Sequence, residues 1–265
     1  METIVICAYN RPEYFKKALK SLVSGKIPVY FFLDGGEGAT QDENVKIIET
    51  SEIENYQIIR RSKNLGCGNN LIEARKTIFD QLGFESALIL EDDLVLSPYF
   101  VPFMSNFLKW SGDALITSNG KCKESVDWKK EHLHMIKKSQ FSQLWGYGLT
   151  KKIWNTIKSD LYYYQENFLI GSYKQRPHGK IQAWLKQLSP SIFKENCATG
   201  QDAATIYALN KAKIPIYVSI VNRIKNIGAV GEHFLPEHYL RHKLHEVNLD
   251  IFPEDQNIKE FYYAK

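Results

Sequence analysis

Four short apolar runs, each followed by a segment of helical period, occupy the first hundred residues and restrict the fold more than any other feature. The first run, Ile4 to Cys7, ends in the polar turn Tyr9-Asn10-Arg11-Pro12. Apolar residues then recur at Phe15, Ala18, Leu19, Leu22 and Val23, the spacing of one helix face. Pro12 suits the first turn of that helix, where its missing N–H is not needed. Pro28 to Leu33 forms a second run, closed by Asp34-Gly35-Gly36. A helix is expected around Asp42 to Thr50, a strand at Tyr56 to Arg60, a loop from Asn64 to Asn70 and an amphipathic helix from Leu71 to Leu82. Ser86 to Leu90 is the fourth run and leads directly into Glu91-Asp92-Asp93. Alternation at this pitch predicts an α/β fold with a mostly parallel central sheet and helices on both faces.

Beyond about residue 110 the pattern loosens, with tryptophans, tyrosines and lysines between short strands. Residues 159–198 carry few periodic signals and are expected to form an irregular segment that faces a second substrate or acts as a lid. Helical period returns from Asp202 to Lys211, and Ile214 to Ile220 is expected to be a late strand. Residues 236–265, with Pro253 and several charges, are expected to be a peripheral tail.

A net charge of +4 is too mild to point to nucleic acid, and a lysine-rich solvated surface accounts for it. No apolar run approaches the roughly 18 to 20 residues that span a bilayer. A cytoplasmic protein is expected, with peripheral contact at the cytoplasmic face of a membrane left open. Cys7, Cys67, Cys122 and Cys197 lie far apart and form neither a zinc-type pair nor a disulfide framework.

The chemistry concentrates in Glu91-Asp92-Asp93. Open parallel sheets bind ligands at the carboxyl ends of their strands. Adjacent carboxylates there repel one another unless a cation or hydrogen-bond donors compensate. A divalent ion shared with phosphate oxygens would do so, since Mg²⁺ and Mn²⁺ accept one or two carboxylates plus a diphosphate. An acidic turn ahead of a helix beginning near Ser97-Pro98 is the alternative.

Thr3 to Pro12 (TIVICAYNRP) and Leu90-Glu91-Asp92-Asp93 resemble the opening and the DxD-type motif of GT-A glycosyltransferases. Glu91 to Phe100 (EDDLVLSPYF) is similar to the EDD segment of the inverting N-acetylglucosaminyltransferase I group, a pattern shared by bacterial family 2-like enzymes. Leu144 to Leu149 (LWGYGL), with Trp154, resembles the tryptophan–glycine segment on the acceptor side of those enzymes. Thr199-Gly200-Gln201-Asp202 and Asn226-Ile227-Gly228, with Gly231 and His233, resemble their later features in matching order, so the likeness spans residues 3 to about 235.

The resemblance implies a GT-A type fold with a Rossmann-like nucleotide-sugar-binding half at 1–110, an acceptor-binding and catalytic half at 111–235, and the tail. It implies an inverting glycosyltransferase that takes a nucleoside diphosphate sugar, UDP-linked by preference, and uses Mn²⁺ or Mg²⁺. The acceptor would be a glycan or lipid-linked saccharide. In the matching motif Asp93 binds the metal, Asp92 the ribose, and Glu91 lies near the donor sugar. Ala8, Tyr9, Asn10, Arg11 and Asp34 match positions that hold the nucleotide, and Asp202 matches the catalytic base.

Each position has a plainer reading. Asp34 suits a turn before two glycines, and Asn70 suits a helix cap as well as a nucleotide contact. Arg75 could meet a phosphate or a surface carboxylate. Asp202 could complement a helix dipole, and His233 could complete a metal shell or sit on the surface. Trp145, Tyr147 and Trp154 could form a sugar-stacking platform or belong to the core. In the N-acetylglucosaminyltransferase I group the base lies earlier, and the nearest position here, Gln140, cannot serve. A sugar-phosphate nucleotidyltransferase would need a glycine-rich loop where Tyr9-Asn10-Arg11-Pro12 stands, and a non-catalytic glycan- or nucleotide-binding module would not need three acids beside a base.

Overall fold

The computed structural model describes residues 1–36, 38–118, 133–195, 197–231, 236–249 and 261–263. In chain order, the first half contains β1 (Glu2–Ala8), α1 (Pro12–Ser21), β2 (Val29–Leu33), α2 (Gly38–Glu49), β3 (Tyr56–Arg60), α3 (Cys67–Lys76), β4 (Ser86–Glu91), β5 (Leu94–Leu96) and α4 (Phe100–Trp110). The rest contains β6 (Leu115–Thr117), β7 (Met135–Ser139), β8 (Tyr147–Thr150), α5 (Lys151–Phe168), α6 (His178–Lys186), α7 (Gln201–Lys211), β9 (Ile216–Ser219), β10 (Ile224–Asn226), α8 (Pro236–Arg241) and β11 (Tyr262–Tyr263).

β1 lies between β2 and β4 and pairs with both in parallel, which explains why the run from Thr3 to Ala8 is buried throughout. Its side chains alternate between the two faces of the sheet. Ile4, Ile6 and Ala8 join a core with α1 and α4, and Val5 and Cys7 join a core with α3, α5 and α7. Among the described residues the sheet has nine strands in the order β11-β7-β9-β6-β8-β4-β1-β2-β3. Five of its neighbouring pairs are parallel, and β8 and β7 introduce the antiparallel ones. β10 and β5 form a separate two-stranded ribbon. The α/β expectation holds, with helices packed on both faces.

Three local expectations change. α3 begins at Cys67 rather than Leu71, because Gly66 turns the chain with φ +77° and Gly68 lets the helix approach Leu169. About half of residues 159–198 is helical: α5 runs on to Phe168, and α6 follows. Their apolar period is hidden because Trp184 and Tyr164 are buried aromatics among polar neighbours, stacked with ring centroids 5.9 Å apart. The tail also returns to the body. β11 pairs with β7, and Phe261 packs edge-on against Phe103 and Phe107 at 5.3 and 5.2 Å. No helix among the described residues is long and apolar enough to cross a membrane.

Phe261 is only 6% exposed. Phe261→Ala is expected to destabilise the protein by about 3 kcal/mol or more, as large-to-small core changes do. Urea unfolding measures this, and a loss within about 0.5 kcal/mol would mark the segment as peripheral.

Candidate active site

The chain leaves β1 toward β2 and β3 on one side and returns to β4 on the other. Such a reversal opens a crevice at the carboxyl ends of the strands. Here it is a cleft of about 360 Å³. Ala8, Tyr9, Asn10, Arg11, Asp34, Asn70, Glu91, Asp92, Asp93 and Asp202 all line it. Arg75 does not line it, and His233 lies outside the described residues.

The register Cys7↔Glu91 sets the turn after β1 beside the acids after β4. The Tyr9 backbone N–H donates to Asp92 Oδ2 at 3.3 Å. The Arg11 guanidinium bridges both aspartates: Nη1 donates to Asp93 Oδ2 at 2.8 Å, and Nη2 pairs with Asp92 Oδ1. Arg11 also lies 5.7 Å from the centre of the Tyr14 ring. From the far side, Asn226 donates to Asp93 Oδ1 at 3.4 Å. A side chain at Gly228 would run into the Asp93 carboxylate, so only glycine lets the backbone close over the pair.

Burial drives the titration of this cluster. Desolvation raises Asp92 to about 6, although Arg11 favours its charged form. Glu91 is raised well above the usual carboxylate range by burial, then by Asp93, Asp202 and Asp92. The exposed Cys67 thiol lies 3.5 Å from Glu91 Oε2.

Asp34 is committed to backbone. Its carboxylate accepts N–H groups from Gly35, Leu65 and Gly66 at 3.0, 2.8 and 2.9 Å, which folds the loop ahead of α3 around the strand end. Burial raises its pKa, and those donors offset part of the shift. Asn70 is likewise engaged: it donates to Phe32 O at 3.1 Å and accepts from Arg61 at 3.3 Å.

Asp202 stands in the first turn of α7. It accepts from the Gln201 side-chain amide and from the Leu144 backbone, and burial raises it to about 6. Arg75, fully buried, donates to Gln201 Oε1 at 2.8 Å and Thr205 Oγ1 at 3.1 Å. With its oxygen held by Arg75, Gln201 must turn its NH₂ toward Asp202. Arg75 therefore positions a site residue through an intermediary.

Of the three aromatics that could form a platform or belong to the core, Trp145 lines the cleft, and Tyr147 and Trp154 are core. Sequence reasoning missed Cys67, Tyr173 and Arg176 as lining residues. No local signal marks them, because Tyr173 and Arg176 come from a short 3₁₀ turn brought over the cleft by α5 and α6.

Among the described residues no three His, Cys, Asp or Glu side chains are gathered as a ready metal shell. The two aspartates nonetheless fit a Mg²⁺- or Mn²⁺-type ion, which takes few carboxylates and fills its shell with water and phosphate oxygens. The Arg11 guanidinium, held between them, already stands in for a cation.

Fold and site together define a GT-A type glycosyltransferase. The chain belongs to glycosyl transferase family 2, whose model matches residues 3–178. A search of curated proteins finds no match. Similar solved structures include TarS residues 1–349 from S. aureus, at 12% identity and a TM-score of 0.49, covering 97% of this chain and 68% of that one. The mannosyltransferase PcManGT from Pyrobaculum calidifontis, solved with GDP-Man and Mn²⁺, is 10% identical with a TM-score of 0.47, covering 78% of this chain and 69% of that one. An active-site mutant of LgtC is 14% identical with a TM-score of 0.44, covering 79% of this chain and 70% of that one.

Asp92 titrates at about 6 in the folded protein and near 3.9 when unfolded. The folded state thus holds that proton more tightly, and this contribution to stability is lost as pH rises through 6. Arg11→Met removes the compensating charge. The variant is expected to lose more stability at pH 7.5 than at pH 5, measured by urea unfolding. An equal loss at both would show that Arg11 acts by packing alone.

Proposed function

We propose that the enzyme is inverting and moves a sugar from a nucleoside diphosphate sugar, UDP-linked by preference, to a hydroxyl of a glycan or lipid-linked saccharide. The observation that carries this reading is that Glu91-Asp92-Asp93 and Asp202, more than a hundred residues apart in sequence, line one cleft. Such a transfer needs a neutralised leaving group on one side of the sugar carbon and a base on the other.

On the leaving-group side, Asp93, with Asp92 beside it, would hold Mn²⁺ or Mg²⁺, whose chemistry is to neutralise the departing diphosphate. Asp92 and the Ala8–Arg11 turn would orient the nucleoside, and Asp34 would fix the loop that closes round it. Burial and neighbouring acids favour protonated Glu91, a form that can donate a hydrogen bond to a sugar hydroxyl. On the acceptor side, Asp202 would take the hydroxyl proton as the new glycosidic bond forms. A carboxylate at about 6 is basic enough to accept that proton and still ionised at neutral pH.

Two experiments test the reading. Thermal shifts with UDP-, GDP-, CMP- and dTDP-sugars, with and without Mn²⁺, should show a nucleotide sugar raising the melting point, because a ligand that binds only the native state stabilises it. If none shifts it and Asp93→Ala retains any transfer activity, the assignment is wrong. Asp202→Asn should keep donor binding while transfer falls by about 10² to 10⁴. The wild-type rate should rise with pH through about 6 as Asp202 loses its proton. Undiminished turnover in the Asn variant would place the base elsewhere.

A further inference from the structure

Arg176 is 9% exposed and lines the cleft, yet its Nε has no hydrogen-bond partner. No carboxylate among the described residues forms an ion pair with it. Its contacts are the Tyr164 hydroxyl and the Tyr173 ring, 5.3 Å from the guanidinium carbon. The cleft has other acids, but Asp92 and Asp93 are taken by Arg11, and Asp202 is held by Gln201 and Leu144. Asp34 accepts the Gly35, Leu65 and Gly66 N–H groups, and Glu91 accepts from the Cys67 thiol. A guanidinium withdrawn from water without an anion is costly.

Its position is built rather than incidental. Ser172 and Gln175 form a capping box around the turn that carries it. The Arg176 N–H donates to Tyr173 O at 3.2 Å. Next to it, the His178 ring is clamped between Thr199 Oγ1 at 2.7 Å and Tyr173 O at 2.8 Å. The guanidinium is thereby set over the start of α3, with Nη2 only 3.9 Å from where a side chain on Gly66 would begin.

The ten-residue helix α3 supplies the second half of the arrangement. No side chain caps its amino terminus, and Gly66, Cys67 and Gly68 line the cleft there. First-turn N–H groups have no partner inside a helix, and the helix dipole adds positive potential at that end. A phosphate or carboxylate fits such a place.

We propose that Arg176 and the amino-terminal turn of α3 form an oxyanion subsite in this cleft. The group it takes is a phosphate or carboxylate oxygen set, carried either by the donor's diphosphate or by an acidic transferred sugar. The two named occupants and the nucleotide probes rest on the glycosyl-transfer reading above; the anion subsite itself does not.

The test is calorimetric titration of the full chain in metal-free buffer with EDTA, using inorganic pyrophosphate, uridine, UDP, UDP-glucose and UDP-glucuronate. Arg176→Gln is expected to weaken pyrophosphate at least about tenfold, as loss of a charge-assisted contact does. Arg176→Lys should restore part of the affinity, and uridine should be unaffected. If UDP weakens in parallel, the donor's diphosphate is the occupant. If UDP holds its affinity and the preference for UDP-glucuronate over UDP-glucose disappears, the occupant is the sugar's own acid. Should wild type ignore the uridine compounds but bind pyrophosphate through Arg176, the UDP assignment fails and the subsite stands. Wild type binding no anionic probe, or Arg176→Gln binding all of them as wild type does, overturns the subsite.

Discussion

Two aspartates in succession at the end of a strand buried on both faces are an electrostatic problem that the rest of the site is arranged around. β4 is enclosed because it lies in the middle of the sheet, so its carboxyl end delivers Asp92 and Asp93 into a region of low dielectric. Ionised carboxylates there need a cation or hydrogen-bond donors beside them. The fold provides one from the neighbouring strand: β1 and β4 are parallel and adjacent, so the turn that starts α1 falls beside the acids and supplies Arg11. The ribbon strand β10 then brings Asn226 and Gly228 across the top, and the absence of a side chain at Gly228 lets it approach. An internal guanidinium thus holds the two acids together. An incoming divalent ion and its diphosphate would have to share or displace that charge.

Three arginines of this region show how little residue type alone decides. Arg11 neutralises acids, Arg75 orients an amide that in turn holds Asp202, and Arg176 meets no carboxylate among the described residues. Their differences lie in which helix or turn carries them. Arg75 sits in the last turn of α3, buried against Trp154 with its guanidinium 5.8 Å from the ring centre, and does not line the cleft. Arg176 follows a short 3₁₀ turn with no buried residue of its own and lines the cleft beside Tyr164 and Tyr173.

Much of the first hundred residues was legible because the information there is local. Short continuous apolar runs mark β1 to β4, and the acids at the end of β4 announce themselves by position. The opposite holds for features created by distant partners. Gln201 and Arg75 meet across 126 positions, and nothing near either residue indicates it. Asp34 was readable as a strand-end acid, but its service to the N–H groups of Leu65 and Gly66 depends on a loop some thirty residues on. α5 and α6 went unread because buried tyrosines and tryptophans carry polar tips, which blur the contrast that reveals a helix face. The glycines at 66 and 68, usually signs of a loop, instead start α3, where packing against Leu169 outweighs their weak propensity.

The proposed division at about residue 110 into a nucleotide-sugar half and an acceptor half is not a division of the fold. β8 from the second half pairs with β4 from the first, from Ser86↔Thr150 to Ile89↔Tyr147, so the sheet has no seam there. One core joins α3 of the first half to α5 and α7 of the second, and Arg75 at its centre reaches both Gln201 and Thr205. Neither half could bury its apolar face alone. The residue proposed to deprotonate the acceptor is held by a side chain anchored in the half proposed to bind the donor. A disturbance of α3 would therefore be felt at Asp202 through Gln201.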